Sequence, residues 1–321
     1  MNISIILCTY NRDKVLANAL RSIARSSMPV SIEWEVLVVD NNSNDQTRKI
    51  VGEFSTRYPN RFRYLFEPQA GKSYALNTGI QEARGDILVF TDDDVTVRAT
   101  WLQNLTAQLA GKNWVGAGGR TFPEKEFTAP QWMDREDENV LAPLAVFDLG
   151  NDACDLRESP YGNNMAFRKE VFEKYGGFQT DLGPRPGCVI RNEDTEFGGR
   201  LLAAGERLRY EPSAVVYHAV LPRIRKEYFL AWWFDKARSD IRELGVPPNG
   251  GWTIVGIPLF LSRRLSVWTL RWMLTFNPAR RFTYKTKVWG LLGEILECYE
   301  QPVNRGNSFK KISTKEGLTK R

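Results

Sequence analysis

The sequence of 321 residues has a single histidine, four widely spaced cysteines and no C-x-x-C pair. This pattern predicts reduced, packed thiols rather than a disulfide framework. No apolar run approaches the roughly 20 residues of a membrane-spanning helix, so we expect no transmembrane anchor. The first apolar run, at residues 3–8, is too short for a signal peptide, and we expect the protein to stay in the cytosol.

Two nucleotide-binding signatures are missing as well. The chain has no G-x-x-x-x-G-K-[ST] loop and no G-x-G-x-x-G sequence after its first predicted strand. Their absence argues against P-loop NTPases and dinucleotide-binding enzymes. The hydrophobic content of 42% and the charged content of 26% exclude a disordered, collagenous or coiled-coil chain.

The net charge of +6 is distributed unevenly. Residues 1–221 hold 25 Lys and Arg against 30 Asp and Glu, whereas residues 222–321 hold 19 against 8 and six of the ten tryptophans. A mildly acidic body therefore carries a basic, Trp-rich tail, which favours an anionic partner. Because no nucleic-acid recognition motif accompanies the tail, we expect an anionic membrane surface and no nucleic acid.

Strands and helices alternate over the first 120 residues. Apolar runs predict strands and helical spacing predicts helices; the strands are 3–8, 34–39, 63–66 and 85–90, and the helices are 13–26, 45–57 and 73–83. Such repeated βαβ units predict an α/β fold with a mostly parallel, doubly wound sheet. Ligands of these sheets bind beyond the carboxyl ends of the strands.

Polar residues follow three of these strands, at 9–12 (TYNR), 40–45 (DNNSND) and 91–94 (TDDD). Turn formation or helix capping would also explain the later residues of the second cluster. The three adjacent aspartates repel one another, and burying them without a counter-ion would be costly. A divalent cation, Mn²⁺ or Mg²⁺, would offset that cost and gather phosphates. A solvated acidic loop is the alternative.

Four segments in this order resemble family 2 glycosyltransferases of the GT-A fold: 3–12 (ISIILCTYNR), 38–45 (VVDNNSND), 71–77 (GKSYALN) and 86–94 (DILVFTDDD). The resemblance covers about residues 1–235. It implies a GT-A catalytic domain with a donor half over about 1–120 and an acceptor half over about 121–235. The implied reaction is an inverting transfer of a sugar from a nucleoside diphosphate donor.

The same resemblance implies which side chains hold the donor and the metal ion. Thr9, Tyr10 and Asp40 would contact the nucleobase and ribose. Asp92 and Asp94 would be the two acids of the D-x-D motif, and Asp94 the more direct metal ligand. The remaining residues assigned to the donor site are Arg12, Lys72, Asn77 and Asp93.

The acceptor side has its own motif. Residues 191–197 (RNEDTEF) resemble the Glu-Asp motif of the family, which makes Asp194 the candidate general base and gives Glu193 the task of orienting the acceptor. Attack by a hydroxyl on an anomeric carbon needs a carboxylate to take the proton. Asp194 would also suit a helix N-terminus. Gly162 and Asn163 would border the acceptor pocket, or form a plain turn.

The remaining candidates lie in the second half of the chain. His218 follows a strand-like run and would be a third metal ligand, unless it is an ordinary structural histidine. Arg223 or Arg225 would neutralise the departing diphosphate. Trp232 would stack on a sugar face, although core packing explains it equally well.

The tail is predicted as a basic helical extension over 236–305, followed by a disordered end at 306–321. Leu261, Leu265, Trp268 and Trp272 fall on one helical face, which we expect to lie on anionic lipid; ordinary packing on the catalytic domain is the alternative. These features predict a peripheral enzyme on the inner face of the plasma membrane. Its acceptor would be a hydroxyl of a lipid-linked or polysaccharide-precursor molecule.

Two other function classes fit parts of the sequence. Residues 92–96 (DDDVT) satisfy the D-x-D-x-T motif of haloacid-dehalogenase-type phosphatases, but that motif normally lies on the first strand of its domain, and here three βα units precede it. A nucleotide-sugar-binding module without catalysis is the second alternative. The presence of both a candidate base and a candidate metal motif argues against it.

Overall fold

The computed structural model describes residues 2–124, 128–134, 137–187, 190–245, 253–254 and 257–300. The predicted disordered end at 306–321 lies outside the described residues. The chain divides into two compact units after Phe229, whereas the sequence places the boundary between catalytic domain and tail at residue 235.

One sheet organises the first unit. Its described strands are β1 (Ile3–Thr9), β2 (Trp34–Asp40), β3 (Phe62–Phe66), β4 (Ile87–Asp92), β5 (Val95–Val97), β6 (Gly116–Pro123), β7 (Cys154–Asp155), β8 (Asn164–Arg168) and β9 (Leu208–His218). The strand order is β3-β2-β1-β4-β8-β6-β9-β5, and β7 pairs with β9. Among the described strands, only β5, β7 and β8 run against the others. The predicted mostly parallel sheet is therefore confirmed.

Helices follow the strands as the sequence predicts. The described helices of this unit are α1 (Asp13–Ala24), α2 (Thr47–Arg57), α3 (Lys72–Glu82), α4 (Trp101–Thr106), α5 (Glu138–Leu141), α6 (Glu170–Tyr175), α7 (Glu193–Ala203) and α8 (Lys226–Leu244), which continues into the second unit. Helix α2 begins two residues later than predicted because the Asp45 carboxylate accepts the backbone N–H groups of Thr47 at 3.0 Å and of Asp13 at 2.9 Å.

Strand β4 also begins later than predicted, at Ile87 instead of Gly85. Gly85 passes so close to β1 that a Cβ atom there would lie 2.5 Å from the backbone nitrogen of Ser4. Its N–H group donates instead to Ser4 Oγ at 2.9 Å. At its other end β4 extends to Asp92, and the next two aspartates form the turn that precedes β5.

Alternation along the central strands sends apolar side chains to both faces of the sheet. Ile5 and Leu7 are fully buried on the face that α1 covers, and Ile6 is fully buried on the face that α3 covers. The buried residues of α1 recur at helical spacing; they are Leu16, Ala19, Leu20 and Ile23. Both faces of the sheet are thus closed, and its functional edge is the row of strand ends.

A buried carboxylate fixes the opposite ends of the central strands. Glu35 on β2 is 7% exposed, and it accepts hydrogen bonds from Ser4 Oγ at 2.8 Å, Arg84 N at 2.9 Å and Arg63 Nη1 at 2.8 Å. Burial alone would raise the pKa of Glu35, but these hydrogen bonds and the charge of Arg63 hold it below the usual value.

We expect Glu35→Gln to lower the free energy of unfolding by about 1–3 kcal/mol at neutral pH, because it weakens a buried, charge-assisted network. A carboxylate with a lowered folded-state pKa stabilises the fold above its unfolded value of 4.5, and this stabilisation is lost as the pH falls through the folded pKa. Urea unfolding at neutral pH and at about pH 3.5 should therefore show a smaller difference between wild type and variant in acid. A difference of equal size at both pH values would contradict this account, and the exposed Glu53→Gln serves as the control.

The second unit, taken by itself, consists of the remainder of α8, a short hairpin of β10 (Thr253–Ile254) and β11 (Ile257–Pro258), and helices α9 (Leu259–Leu274) and α10 (Pro278–Glu300). Glu297 on α10 is fully buried and accepts hydrogen bonds from Arg238 and Arg242 on α8. These ion pairs join α8 to α10.

The helical face predicted to lie on lipid packs inside this unit instead. Leu261 is fully buried, and Leu265 and Trp268 pack against the same small core, which α10 completes with Leu291 and Cys298. The ring of Trp272 also meets the ring of Trp289 on α10 edge to face. The prediction that this face contacts lipid is therefore wrong, because the face holds α9 against α10.

None of the described helices combines the length and the apolar content that crossing a membrane requires.

Candidate active site

The predicted polar clusters converge at the carboxyl ends of the central strands. Strand β1 lies between β2 and β4, and the register places Thr9 beside Asp40 and Cys8 beside Asp92. The N–H group of Asn41 donates to the carbonyl of Thr9 at 2.9 Å, which continues the ladder beyond the strands. The topology thus brings three sequence-distant clusters to one edge.

Asp40 is a buried carboxylate at the tip of β2. Tyr64 Oη donates to Asp40 Oδ2 at 2.8 Å, and the N–H group of Ser43 donates to Asp40 Oδ1 at 2.8 Å. Burial and the hydrogen bond to Asp40 raise the pKa of Tyr64 to about 12. The side chain of Tyr10, at the end of the adjacent strand, is 41% exposed. An oriented carboxylate beside an exposed ring is suited to holding a ribose and a planar base.

The second and third aspartates of the triple are buried, and two guanidinium groups neutralise them. Arg12 donates through Nη1 to Asp93 Oδ1 at 2.8 Å and through Nη2 to Asp94 Oδ2 at 2.8 Å. Arg223 Nη2 donates to the same Asp94 Oδ2 at 2.5 Å, and Thr9 Oγ1 donates to Asp93 Oδ2 at 2.7 Å. Of the two arginines proposed for the diphosphate, Arg223 is therefore the one that lies on the aspartates.

The pKa values of the two neighbouring carboxyl groups, Asp93 and Asp94, are shifted in opposite directions. Burial raises the pKa of Asp93 to about 7, and Arg12 only partly offsets it. Burial acts on Asp94 too, but His218 and the charges of Arg223 and Arg12 hold the pKa of Asp94 well below its usual value. Asp94 is the carboxylate that stays charged.

His218 lies against the free side of Asp94. Strand pairing sets Val95, the residue after Asp94, opposite His218. His218 Nδ1 lies 2.9 Å from the carbonyl oxygen of Leu144, and because a carbonyl can only accept, that nitrogen carries a proton. His218 Nε2 lies 3.4 Å from Asp94 Oδ1.

This pair fits a divalent cation. Asp94 Oδ1 is buried and has no hydrogen-bond partner in the described structure, so one of its lone pairs is available to a cation. Neutral imidazole and carboxylate oxygen are both ligands of Mn²⁺. Among the described residues no group of three His, Cys, Asp or Glu side chains is arranged to hold a metal ion. The chain would therefore depend on other ligands, such as diphosphate oxygens, to complete the coordination.

Lys72 connects the donor motif with the acceptor motif. Its Nζ atom lies 3.0 Å from Asp92 Oδ1 and 3.2 Å from Glu193 Oε1. Although burial opposes it, the charges of Asp92 and Glu193 raise the pKa of Lys72. Burial raises the pKa of Glu193, which Lys72 offsets in part. One half-buried ammonium group thus contacts two motifs that are about 100 residues apart in the sequence.

Asp194 lies in the first turn of α7 and faces a glycine turn. The N–H group of Gly162 donates to Asp194 Oδ2 at 2.6 Å, and the N–H group of Thr195 donates to Asp194 Oδ1 at 2.8 Å. A Cβ atom on Gly162 would lie 3.1 Å from Asp194 Oδ2, so this close approach suits glycine. Backbone groups therefore fix the orientation of the candidate base, whose side chain remains partly exposed.

Three of the residues predicted for the active site make contacts that the sequence did not predict. Asn77 exchanges two hydrogen bonds of 2.9 Å with the backbone of Phe178, so it fastens α3 to the segment before α7. Asn163 is buried; Thr121 donates to its Oδ1 at 3.2 Å, and its Nδ2 has no hydrogen-bond partner among the described residues. Trp232 belongs to the second unit, where its ring meets that of Trp233.

Two groups that orient side chains of the site were not predicted from the sequence. Tyr64 orients Asp40, and the Leu144 carbonyl sets the proton position of His218. Tyr64 could have been found, because its strand neighbours the one that carries Asp40. A backbone carbonyl has no sequence signal, since every residue has one.

The chain is similar in sequence to known glycosyltransferases. The family model described as glycosyl transferase family 2 matches residues 4–176, which is more than half of the chain. The D-x-D-x-T phosphatase alternative is not supported by this match. The chain is 28% identical over 276 residues to glycosyltransferase AglE of Haloferax volcanii, with 82% of this chain and 84% of that protein covered. It is 31% identical over 236 residues to succinoglycan biosynthesis protein ExoM of Rhizobium meliloti, with coverages of 72% and 70%.

A solved structure supports the fold. The mannosyltransferase PcManGT of Pyrobaculum calidifontis, in complex with GDP-Man and Mn²⁺, superposes with a TM-score of 0.61 at 20% identity. The superposition covers 95% of this chain and 88% of that one. The predicted GT-A fold with a helical C-terminal region is thereby confirmed.

Proposed function

The chain belongs to glycosyl transferase family 2, and from this premise we propose a metal-dependent, inverting transfer of a sugar from a nucleoside diphosphate to a hydroxyl group. The acceptor is a lipid-linked or polysaccharide-precursor molecule. That the chain is a glycosyltransferase follows from its family. The metal, the stereochemistry and the acceptor are the parts that we propose.

The observation that carries the proposal is the bridge that Lys72 makes between Asp92 and Glu193. An inverting transfer needs a donor site and a base on opposite sides of one anomeric carbon. The bridge holds the carboxylates of the donor motif and of the acceptor motif at a single site. A donor-binding module without catalysis would have no use for this second set of carboxylates.

The donor side of the proposed site binds the nucleoside and neutralises the charge of the diphosphate. Asp40, Thr9 and Tyr10 hold the nucleoside, and Arg12 and Arg223 move their charge from Asp94 towards the diphosphate as it leaves. Asp94 and His218 would hold Mn²⁺ or Mg²⁺, and Asp92 is proposed as a further ligand from the same motif. When bound, the ion supplies positive charge to the diphosphate. PcManGT forms a complex with GDP-Man and Mn²⁺, which supports this donor class and this metal.

The acceptor side removes a proton. As the acceptor oxygen forms its bond to the anomeric carbon, the bond from that carbon to the diphosphate breaks, and the hydroxyl proton passes to Asp194. Attack from the face opposite the leaving group inverts the carbon. Glu193, which Lys72 contacts, orients the acceptor or its loop, and Gly162 and Asn163 border the acceptor pocket.

The acceptor and the location are proposed from the tail and from a relative. ExoM is a succinoglycan biosynthesis protein, which supports a polysaccharide precursor as the acceptor. The basic, Trp-rich tail supports an anionic membrane surface at the cytoplasmic face of the plasma membrane. A lipid-linked acceptor would be reached from that surface.

A donor panel tests the proposal. Purified protein is heated with UDP-, GDP- or dTDP-sugars, each with and without Mn²⁺. A donor at 100 times its Kd should raise the Tm by about 5 °C or more, and the rise should depend on Mn²⁺. Product formation from that donor is then followed by mass spectrometry, and the anomeric configuration is read by NMR.

The outcomes separate the alternatives. Binding without transfer to any glycan or lipid-linked acceptor would favour the non-catalytic module. Transfer with retention of configuration would refute the inverting mechanism, and an unchanged Tm with every donor would refute the donor class.

A further inference from the structure

Helix α9 is apolar on two opposite faces. The face of Leu261, Leu265 and Trp268 is packed, as described above. The exposed apolar side chains of α9 and of the turn after it lie on the other side; they are Leu259 (42% exposed), Val267 (43%), Leu270 (57%), Met273 (66%), Leu274 (66%) and Phe276 (94%). Soluble proteins rarely leave such a contiguous apolar patch uncovered without an interaction partner.

The position of the patch follows from helical geometry. At about 100° per residue, Leu270 points about 180° away from Leu261, and Leu274 points about 140° away from it. The most exposed members lie at the C-terminal end of α9 and in the turn, where Phe276 is almost fully exposed. We call Val267, Leu270, Met273, Leu274 and Phe276 the α9 outer patch.

The charged residues nearest to the patch in the sequence are all basic. The sequence has no Asp or Glu between Glu243 and Glu294, whereas it has seven basic residues there: Arg263, Arg264, Arg271, Arg280, Arg281, Lys285 and Lys287. Arg264 lies 3.7 Å from Glu294. The other six have no acidic partner within 4.0 Å among the described residues.

Aromatic rings replace carboxylates as the partners of three of these cations. Arg271 and Lys287 lie over the ring of Trp268 at 4.7 and 4.8 Å from its centroid, and Lys285 lies over Trp289 at 4.9 Å. A ring face attracts a cation but does not cancel its charge. The surroundings of the patch therefore keep their positive charge and are complementary to an anionic surface.

We infer that the α9 outer patch inserts between the headgroups of an anionic lipid surface while the surrounding arginines contact lipid phosphates. Apolar side chains at the level of the acyl boundary, flanked by basic residues, are the pattern of interfacial helices. The inference deepens the proposed peripheral location, and it replaces the packed face of α9 with the opposite one. It does not depend on sugar transfer.

A pair of matched variants of the full chain tests the inference. Leu270→Ser/Leu274→Ser removes two exposed leucines from the patch, and Leu149→Ser/Leu244→Ser removes two exposed leucines outside it, which are 46% and 59% exposed. Both are measured by co-sedimentation with vesicles of phosphatidylcholine and phosphatidylglycerol at low salt. Circular dichroism shows that both remain folded.

We expect wild type and the Leu149/Leu244 control to bind these vesicles equally. The partition coefficient of the Leu270/Leu274 variant into these vesicles should be about tenfold or more below that of wild type. Arg280→Gln/Arg281→Gln should weaken binding and flatten its dependence on salt. Vesicles of phosphatidylcholine alone should bind wild type much more weakly.

Three results would overturn the inference: wild type that ignores anionic vesicles at low salt, a Leu270/Leu274 variant that binds as wild type does, or a control that loses as much. Dimerisation that the Leu270/Leu274 variant abolishes, without vesicle binding by wild type, would assign the patch to a second copy. The donor-dependent Tm is measured on the same proteins, so failure of sugar transfer and failure of membrane binding are distinguishable.

Discussion

Asp194→Asn is expected to lower kcat by roughly 10²–10⁴-fold, because it removes the carboxylate that takes the acceptor proton in the transition state. Donor binding should be unchanged, since the Thr9, Asp40 and Lys72 contacts do not involve Asp194. The measurement is steady-state kinetics with the donor found in the panel, together with the donor-dependent Tm.

The competing explanation is that Asp194 only stabilises the start of α7. Glu196→Gln is the matched control, because Glu196 carries the same charge in the same helical turn and pairs with Arg200 instead. If both variants change only the unfolding temperature, Asp194 has a capping role. Gly162→Ala adds a positional test: its methyl group would crowd Asp194 Oδ2 and should reduce kcat without removing the carboxylate.

Asp94→Asn should reduce turnover by roughly 10²–10³-fold or more, because it removes the charge that would hold the cation against the diphosphate. Wild type in excess chelator should lose activity to a similar extent. A readout that does not depend on activity is the affinity for Mn²⁺ in the presence of nucleoside diphosphate, measured by calorimetry, which should fall in the variant.

Asp86→Asn is the control for this experiment. Asp86 immediately precedes β4 at the end away from the active site and accepts the N–H group of Asn2. We expect its activity and Mn²⁺ affinity to match those of wild type. Normal Mn²⁺ affinity in Asp94→Asn, or full wild-type turnover in chelator, would contradict the assignment.

Most of the donor half could be predicted from sequence, because its information is local. Apolar runs and helical spacing located the strands and helices, and parallel topology alone brings Asp40 and Asp92 to one edge. The start of β4 was missed because it depends on a contact of Gly85 with Ser4, some 80 residues away. Pattern reasoning along a short segment contains no such contact.

The tail shows the opposite limit. Spacing correctly found an apolar face on α9, but a helix with two apolar faces offers two candidates for burial. Periodicity identifies which residues share a face, and only tertiary packing decides which face is covered. The exposed Leu270 and Phe276 were therefore invisible to the same pattern that selected Leu261 and Trp268.

The number of residues in strand β9 determines which face of the sheet the only histidine of the chain occupies. His218 is aligned with Val95 of β5 and with Pro123 of β6, and the irregularity of this pairing lies between Gly119 and Arg120. On β9 this irregularity falls between Glu211 and Val215. Adding or deleting one residue between Val215 and His218 would turn the imidazole to the other face of the sheet, so the length of this stretch is constrained as strictly as its composition.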